Sequence, residues 1–147
     1  EVVSHNENRT RSVNISQAKE IFEYVDKNTD VVAIDEVQFL DEEAVKIIEF
    51  LADKGIRVIV SGLDREFRGE PFTFMPKLLA VAEYVTKLTA VCVQCGAPAT
   101  RTQRIVNGKP ARYNDPIVLI GAEESYEARC RKCHKVYRAP KPYRELL

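Results

Sequence analysis

The clearest hydrophobic pattern in the chain is an apolar run at residues 31–34 that leads directly into two neighbouring carboxylates, Asp35 and Glu36. The run is mostly β-branched and shows no alternation, which is typical of a strand buried on both faces, as in a parallel sheet. Residues 57–61 form a second candidate strand, with the apolar residues Val58, Ile59 and Val60 at its centre. The pattern predicts two buried strands, with an acidic pair at the carboxyl end of the first.

Between these runs the apolar positions change to helical spacing. Acidic residues 41–43 precede the helix, where negative charge favours its start, and Gly55 supplies a stop. The predicted buried stripe consists of Ala44, Ile47, Ile48, Leu51 and Ala52. Residues 31–61 therefore predict a right-handed strand–helix–strand unit with parallel strands, which indicates an α/β fold.

Weaker patterns predict the flanking elements. Residues 13–15 are a candidate short strand, and Ser16 is a candidate cap for a following helix. The apolar positions of that helix are Ala18, Ile21, Phe22 and Val25. Downstream, residues 76–82 predict a short helix, and residues 84–91 predict a strand that ends the α/β part.

The acidic pair is the first candidate for chemistry. In parallel sheets, ligands bind at the carboxyl ends of the strands. One carboxylate at that position can hold Mg²⁺, and the next can accept a proton or orient a nucleophile, as in the Walker-B arrangement. The alternative is that Asp35 and Glu36 form a surface pair that caps the next helix.

The loop at residues 62–72 leaves the second strand at the same edge of the sheet. A loop in this position is a natural place for substrate contacts. Its apolar side chains Leu63, Phe67 and Phe72 either contact a substrate or pin the loop to the core.

Composition narrows the classes of function. The chain has 147 residues, of which 45% are hydrophobic, so one domain or one domain with a small appendage is expected. Its 22 basic and 22 acidic residues balance, which argues against a general electrostatic attraction to nucleic acid or anionic lipid. No apolar run approaches the roughly eighteen residues of a membrane span.

The four cysteines form two Cys-x-x-Cys pairs, Cys92 with Cys95 and Cys130 with Cys133. Two such pairs complete a closed tetrahedral site, which predicts a structural zinc ion. Two disulfides or a redox pair are the alternatives. His134 is adjacent to the last cysteine, but four thiolates make it unnecessary as a ligand.

The segment between the two pairs carries two further signals. Asn107-Gly108 between apolar and polar stretches predicts a β-hairpin. The apolar run at residues 117–120 lies on a loop whose ends are fixed by the predicted metal site. It is either a lid that reaches another part of the protein or a core strand of the small lobe.

Taken together, these stretches resemble the type II thymidine kinases, the zinc-containing family found in bacteria and in animal cytosol. The resemblance covers nearly the whole chain, in the order of the family, and is carried by residues 35–39, 62–72, 85–95, 100–104 and 120–133. It implies a mainly parallel sheet of the P-loop-kinase or RecA-like type with flanking helices. It also implies a core at residues 1–91 and a C-terminal zinc-binding lobe at residues 92–147 that carries a lasso loop.

The resemblance implies a role for each matched residue. Glu36 matches the base that takes the proton of the thymidine 5′-hydroxyl, Asp35 matches the acid that helps to hold Mg²⁺, and residues 35–38 border the ATP site. Residues that match the nucleoside pocket and the lasso loop are Leu63, Phe67, Phe72, Thr102, Ile117, Val118, Leu119, Ile120, Gly121 and Tyr126. The matched residues of the acidic segment are Asp35, Glu36, Val37 and Gln38. The residues that match the zinc ligands are Cys92, Cys95, Cys130 and Cys133. The family uses ATP, forms homotetramers and is cytoplasmic.

One departure from the family is large. The family begins with a strand and a phosphate-binding loop of the G-x-x-x-x-G-K-S/T type, and these 147 residues contain no such loop. We therefore expect them to be the C-terminal part of a longer natural chain, and expect phosphorylation to require the missing segment. The alternatives to a kinase are a zinc-ribbon module that binds nucleic acid, suggested by the basic residues of the last third, and a P-loop-less inactive remnant.

Overall fold

The structure of the protein is a computed structural model that describes residues 2–3, 9–10, 12–117 and 123–142. The chain is of mixed α/β type and divides into two compact units, Glu1–Gly62 and Leu63–Leu147. The boundary predicted between the α/β core and the zinc-binding lobe, at residues 91 and 92, stays a prediction.

The first unit is built around the predicted strand–helix–strand segment. Strand β1 (Val2–Val3) pairs antiparallel with β2 (Arg9–Thr10), and a 3₁₀ helix follows at Ala18–Glu23. Strand β3 (Val31–Ile34) then leads through a short 3₁₀ helix (Val37–Phe39) into α1 (Glu43–Asp53) and β4 (Arg57–Val60). Strands β3 and β4 are parallel, with Ile34 opposite Val60, so their carboxyl ends meet at one edge.

Helix α1 confirms the predicted apolar stripe with one exchange. Its buried residues are Ala44, Val45, Ile47, Ile48 and Leu51, whereas Ala52 is exposed in the last turn. The stripe is therefore wider on the Val45 side than the spacing predicted. Gly55 ends the helix as predicted, with φ +84° and an N–H that donates to the Ala52 carbonyl oxygen at 2.8 Å.

The prediction that both strands are buried on both faces is wrong for this unit. Val31 and Ile59 are each 54% exposed, while Ile34 at the end of β3 is buried. Among the described residues, the parallel sheet has only two strands, and α1 packs against β4. Burial alternates because one face of so narrow a sheet is left open.

The segment around Ser16 also differs from the prediction. Residues 12–17 form no strand, and the predicted α-helix is the 3₁₀ helix that begins at Ala18. Ser16 does not cap it, because the Ser16 N–H and Oγ both donate to Oε1 of Glu20, at 2.9 and 2.8 Å. These bonds hold the segment in tight turns, and Phe22 remains 47% exposed.

The second unit begins with helix α2 (Met75–Val81), close to the predicted residues 76–82. Strand β5 (Ala90–Val91) pairs antiparallel with β6 (Pro98–Ala99). A three-stranded antiparallel sheet follows in the order β8–β7–β9, formed by Lys109–Pro110, Arg101–Val106 and Glu124–Arg129. The predicted strand at residues 84–91 is wrong over most of its length, because residues 81–91 are all exposed and only the last two belong to a strand.

The predicted hairpin is confirmed. Asn107 and Gly108 connect β7 to β8 with φ values of +49° and +72°. Both values lie in the left-handed region, as a type I′ turn requires. No described helix is long and apolar enough to cross a membrane.

Candidate functional site

The acidic pair lies where the parallel strands end. Asp35 directly follows β3, and Ser61 directly follows β4, so the register of the two strands brings them together. The Ser61 hydroxyl donates to Oδ1 of Asp35, which also accepts the Glu36 N–H at 3.0 Å. This role of Ser61 was not predicted from the sequence, although a hydroxyl immediately after the second parallel strand is a usable signal.

Glu36 has an unusual backbone conformation. Its φ is +53°, in the left-handed region that residues other than glycine seldom adopt. Its exposed carboxylate accepts a hydrogen bond from Nε2 of Gln38 at 2.6 Å, and Gln38 is only 2% exposed. The buried amide of Gln38 thus fixes the carboxylate of Glu36 by a hydrogen bond, and that carboxylate remains accessible to solvent.

Gly62 leaves the space that Gln38 occupies. A Cβ atom at residue 62 would lie 2.4 Å from Oε1 of Gln38 and 3.2 Å from a methyl group of Val37. The first separation is far below van der Waals contact and the second is tight, so a side chain at residue 62 would force the Gln38 amide to shift.

The alternative that the acidic pair caps the next helix does not agree with this geometry. Helix α1 has Glu42 at its N-cap, and the Glu43 N–H donates to Oδ1 of Asp41 at 3.1 Å. Glu36 precedes the short 3₁₀ helix, but its side chain makes no capping hydrogen bond there. Two accessible carboxylates at the end of a parallel strand can instead ligate a hard cation or accept a proton.

The loop at residues 62–72 has one exposed and two buried apolar side chains. Leu63 is 44% exposed, while Phe67 and Phe72 are 5% and 6% exposed. The loop is closed by a hydrogen bond from the Glu66 N–H to the Glu70 carbonyl oxygen at 3.0 Å, with Gly69 at φ +83°. Phe67 and Phe72 therefore do pin the loop to the core, and their contact with a substrate stays a prediction.

Arg104 brings two of the predicted substrate residues together. Its guanidinium carbon lies 5.0 Å from the centre of the Phe67 ring and 5.9 Å from that of Tyr126. Thr102 lies on the same strand, β7, and is half-buried. Ile117 is 38% exposed, and the predicted residues Val118, Leu119, Ile120 and Gly121 lie outside the described part of the chain.

Glu66 is a buried acid that the sequence analysis did not identify. It is 4% exposed, and its Oε2 accepts from Nη1 of Arg68 at 3.2 Å. Its Oε1 has no hydrogen-bond partner among the residues that the structure describes. Burial raises the pKa of this carboxyl above its ordinary value, and the charge of Arg68 only partly opposes that effect. Nearby, the hydrogen bond to Glu70 raises the pKa of Tyr113.

The two Cys-x-x-Cys pairs form a candidate metal centre. Cys92 and Cys95 lie in the turn between β5 and β6, where Gly96 has φ +74° and its N–H donates to the Cys92 carbonyl oxygen at 2.8 Å. The second pair follows β9, and its turn is closed by the Cys133 N–H and the Cys130 carbonyl oxygen at 3.2 Å. All four Sγ atoms lie within 4.8 Å of one another.

These distances fit a tetrahedral thiolate site. Zinc–sulfur bonds of about 2.3 Å place two ligand sulfurs roughly 3.8 Å apart, and the Sγ atoms of Cys95 and Cys130 are 3.6 Å apart. A disulfide would need about 2.0 Å, and all four cysteines are free thiols. Burial acts to raise the pKa of Cys92, but backbone and side-chain hydrogen bonds outweigh it and lower the pKa to about 6.

The imidazole of His134 forms a hydrogen bond with the main chain of Phe67. Its Nε2 lies 2.7 Å from the Phe67 carbonyl oxygen, and burial lowers its pKa. The imidazole therefore connects the second cysteine turn to the loop at residues 62–72, which agrees with the prediction that it is unnecessary as a ligand.

The family model described as "Thymidine kinase" matches residues 1–134. The matched region contains the acidic pair, the loop at residues 62–72 and all four cysteines.

Proposed function

The chain belongs to the thymidine kinase family, and on that premise we propose that it transfers the γ-phosphate of ATP to the 5′-hydroxyl of thymidine, and of deoxyuridine, in nucleotide salvage. We further propose that it is of the zinc-containing type II and has a core of the P-loop-kinase or RecA-like kind. A homotetramer in the cytoplasm belongs to the same proposal.

The conformation of Glu36 is the observation that carries this proposal. A left-handed backbone at a residue other than glycine costs free energy, on the order of 1 kcal/mol or more, and such residues cluster at functional sites. Here that conformation places an exposed carboxylate at the end of β3, held by a buried amide. In this role Glu36 takes the proton of the attacking hydroxyl.

Asp35 is proposed to help bind the Mg²⁺ that accompanies ATP. The Ser61 hydroxyl and the Glu36 N–H both donate to Oδ1, which fixes the orientation of the carboxylate. When bound, Mg²⁺ neutralises charge on the phosphate oxygens. Val37 and Gln38 are fully or almost fully buried, so we assign them to the support of the acidic pair rather than to direct contact with ATP.

The residues that we propose to bind the nucleoside belong to the second unit. Exposed Leu63, Ile117 and Tyr126 and half-buried Thr102 can contact a ligand directly. Phe67 and Phe72 support them from the core. The predicted main-chain readout of the base by residues 118–121 belongs to the same assignment.

The four cysteines are proposed to hold a structural zinc ion. Four thiolate ligands close the coordination sphere, so the metal stabilises the fold and takes no part in the reaction. Through His134 and the Phe67 carbonyl oxygen, the cysteine turn also fixes the loop that carries Leu63.

A nucleic-acid-binding zinc ribbon receives less support. That function needs arginines available to phosphate groups. Arg104 is 0% exposed and bonded to Glu124, and Arg129 is paired with Glu127. These two residues cannot reach a phosphate backbone without breaking their ion pairs.

The test is a phosphotransfer assay on the natural full-length protein. Radiolabelled ATP is incubated with thymidine, deoxyuridine, deoxycytidine or deoxyadenosine, and the products are separated. We expect labelled 5′-monophosphates of thymidine and deoxyuridine alone. Transfer to the purine nucleoside, or to none of the four, would contradict the proposal.

A further inference from the structure

Arg104 is the largest fully buried side chain of the described residues. A guanidinium is always charged at physiological pH, so its burial is costly unless every N–H finds an acceptor. The residue lies in the centre of β7, opposite Tyr126 of β9. Its partners should therefore explain why the fold keeps a cation there.

Those partners come from two separate stretches of chain. Nε and Nη2 both donate to Oε2 of Glu124, at 3.0 and 2.7 Å. Nη1 donates to the carbonyl oxygen of Pro116. One guanidinium thus binds the chain immediately before Ile117 and again at the start of β9.

A second arginine holds the same stretch. Nε of Arg68 donates to the Tyr113 carbonyl oxygen, and Nη2 donates to that of Asp115 at 2.7 Å. The Tyr113 hydroxyl in turn donates to Oε1 of Glu70 at 2.6 Å. Three carbonyl oxygens within residues 113–116 are therefore held by guanidinium groups.

The guanidinium groups of Arg68 and Arg104 both contact the ring of Phe67. The guanidinium carbons of Arg68 and Arg104 are 4.7 and 5.0 Å from its centre, close enough for cation–π attraction. Both contacts and all the hydrogen bonds lie within the second unit. We call Arg68, Arg104 and Glu124, with the carbonyl oxygens of Tyr113, Asp115 and Pro116, the two-arginine anchor.

We propose that Arg104 is a positioning residue for the nucleoside, acting through the two-arginine anchor; this inference rests on the proposed function. Arg104 is itself buried, but it contacts the ring of Tyr126, the chain that leads to Ile117, and the ring of Phe67 in the loop that also carries Leu63. Its planar fork serves acceptors in two directions at once. A lysine ammonium is a point charge without this fork, so we expect Arg104→Lys to lose part of these hydrogen bonds.

The first arm of the test needs no substrate. Hydrogen exchange is measured on peptides covering residues 110–117 and 123–130 in the natural full-length protein and its Arg104→Lys variant. We expect exchange in both peptides to become on the order of tenfold faster or more in the variant, with little change in peptides of α1. Unchanged exchange would overturn the anchor, whatever the enzyme does.

The second arm is kinetic. In Arg104→Lys we expect the KM for thymidine to rise on the order of tenfold or more, with the KM for ATP unchanged and kcat changed less. Arg112→Lys is the matched control, since Arg112 is exposed on the same stretch and its guanidinium lies against Tyr137. A purely structural role would lower the active fraction and leave the thymidine KM unchanged, which would overturn the proposal.

Glu124→Gln serves as a milder variant if Arg104→Lys does not fold. Its side chain is 28% exposed, and the amide oxygen can still accept one hydrogen bond. For Glu124→Gln alone we expect a smaller rise in the thymidine KM. If Arg104→Lys does fold, adding Glu124→Gln to it should raise the KM no further, because both substitutions act on one interaction. If the wild-type protein phosphorylates no nucleoside, the proposed function fails, while hydrogen exchange still decides whether the anchor exists.

Discussion

Gln38 donates a hydrogen bond from Nε2 to Oε2 of Glu36 across 2.6 Å, from a side chain that is only 2% exposed. The donor is fixed by packing, while the acceptor carboxylate is open to solvent. This combination suits the proposed role of Glu36 as a base, because a small misplacement of a reacting group is costly in rate. The position of Glu36 therefore depends on a residue that does not itself face the solvent.

Gly62→Ala tests this dependence. The new methyl group would meet Oε1 of Gln38 at 2.4 Å and displace the amide from Glu36. We expect kcat for thymidine phosphorylation to fall roughly 10- to 100-fold, with the zinc content unchanged. In a Gln38→Ala background the same substitution should cost nothing more, since the displaced group is already gone. A large additional loss in the double variant would show that Gly62 acts by another route.

Cys95→Ser tests the metal centre. Cys95 is exposed, so the substitution removes one sulfur ligand without opening a cavity in the core. We expect the natural protein to contain one zinc ion per chain and the variant to lose it, with a marked fall in the unfolding temperature. Complete removal of a structural zinc can cost on the order of 10 kcal/mol of folding free energy.

Val93→Ser is the control for that experiment, because Val93 lies in the same turn and is 64% exposed. Metal analysis and thermal unfolding are measured on both variants. Retention of a full zinc equivalent by Cys95→Ser, with wild-type stability, would contradict the four-cysteine site.

Glu66→Gln tests the buried acid. Burial raises the Glu66 pKa in the folded state, so the folded protein holds this proton more tightly than the unfolded chain does. The stability that Glu66 contributes is therefore greatest below the ordinary carboxyl pKa and is lost as the pH rises through the folded-state pKa. The neutral variant lacks this dependence.

We accordingly expect Glu66→Gln to be at least as stable as the wild type at neutral pH. The difference in the free energy of unfolding should shrink as the pH falls towards about 4, near the ordinary pKa of a glutamate. Denaturant titrations over this pH range provide the measurement, with Glu83→Gln on the exposed segment after α2 as control. A difference that grows on acidification would contradict the prediction.

Local sequence patterns predicted those parts of the fold that local interactions determine. Spacing was sufficient for α1, β3 and β4, for the turn at Asn107-Gly108 and for the grouping of the cysteines. The same reasoning failed at residues 84–91, where partial alternation suggested a strand but Tyr84 and Leu88 are 80% and 84% exposed. Alternation alone does not specify a strand, because a strand also depends on packing and pairing with neighbouring strands.

The residues that the sequence analysis missed are joined over long separations. Ser61 meets Asp35 across the strand–helix–strand unit, and Arg68 meets Asp115 from another part of the chain. Arg104 carries no local signal of burial, and in the sequence it counted as one of several basic residues. Such contacts depend on the folded chain, whereas propensity and spacing describe only neighbours in sequence.

The most direct test of the account is the turnover of Glu36→Gln in the natural full-length protein, with thymidine and ATP as substrates. Gln keeps the size of the side chain but cannot accept the proton of the hydroxyl. We predict that kcat falls roughly 10²- to 10⁴-fold with unchanged zinc content and unfolding temperature, while Glu49→Gln on the exposed face of α1 has no effect. Wild-type turnover in Glu36→Gln would contradict the assignment of Glu36 as the base.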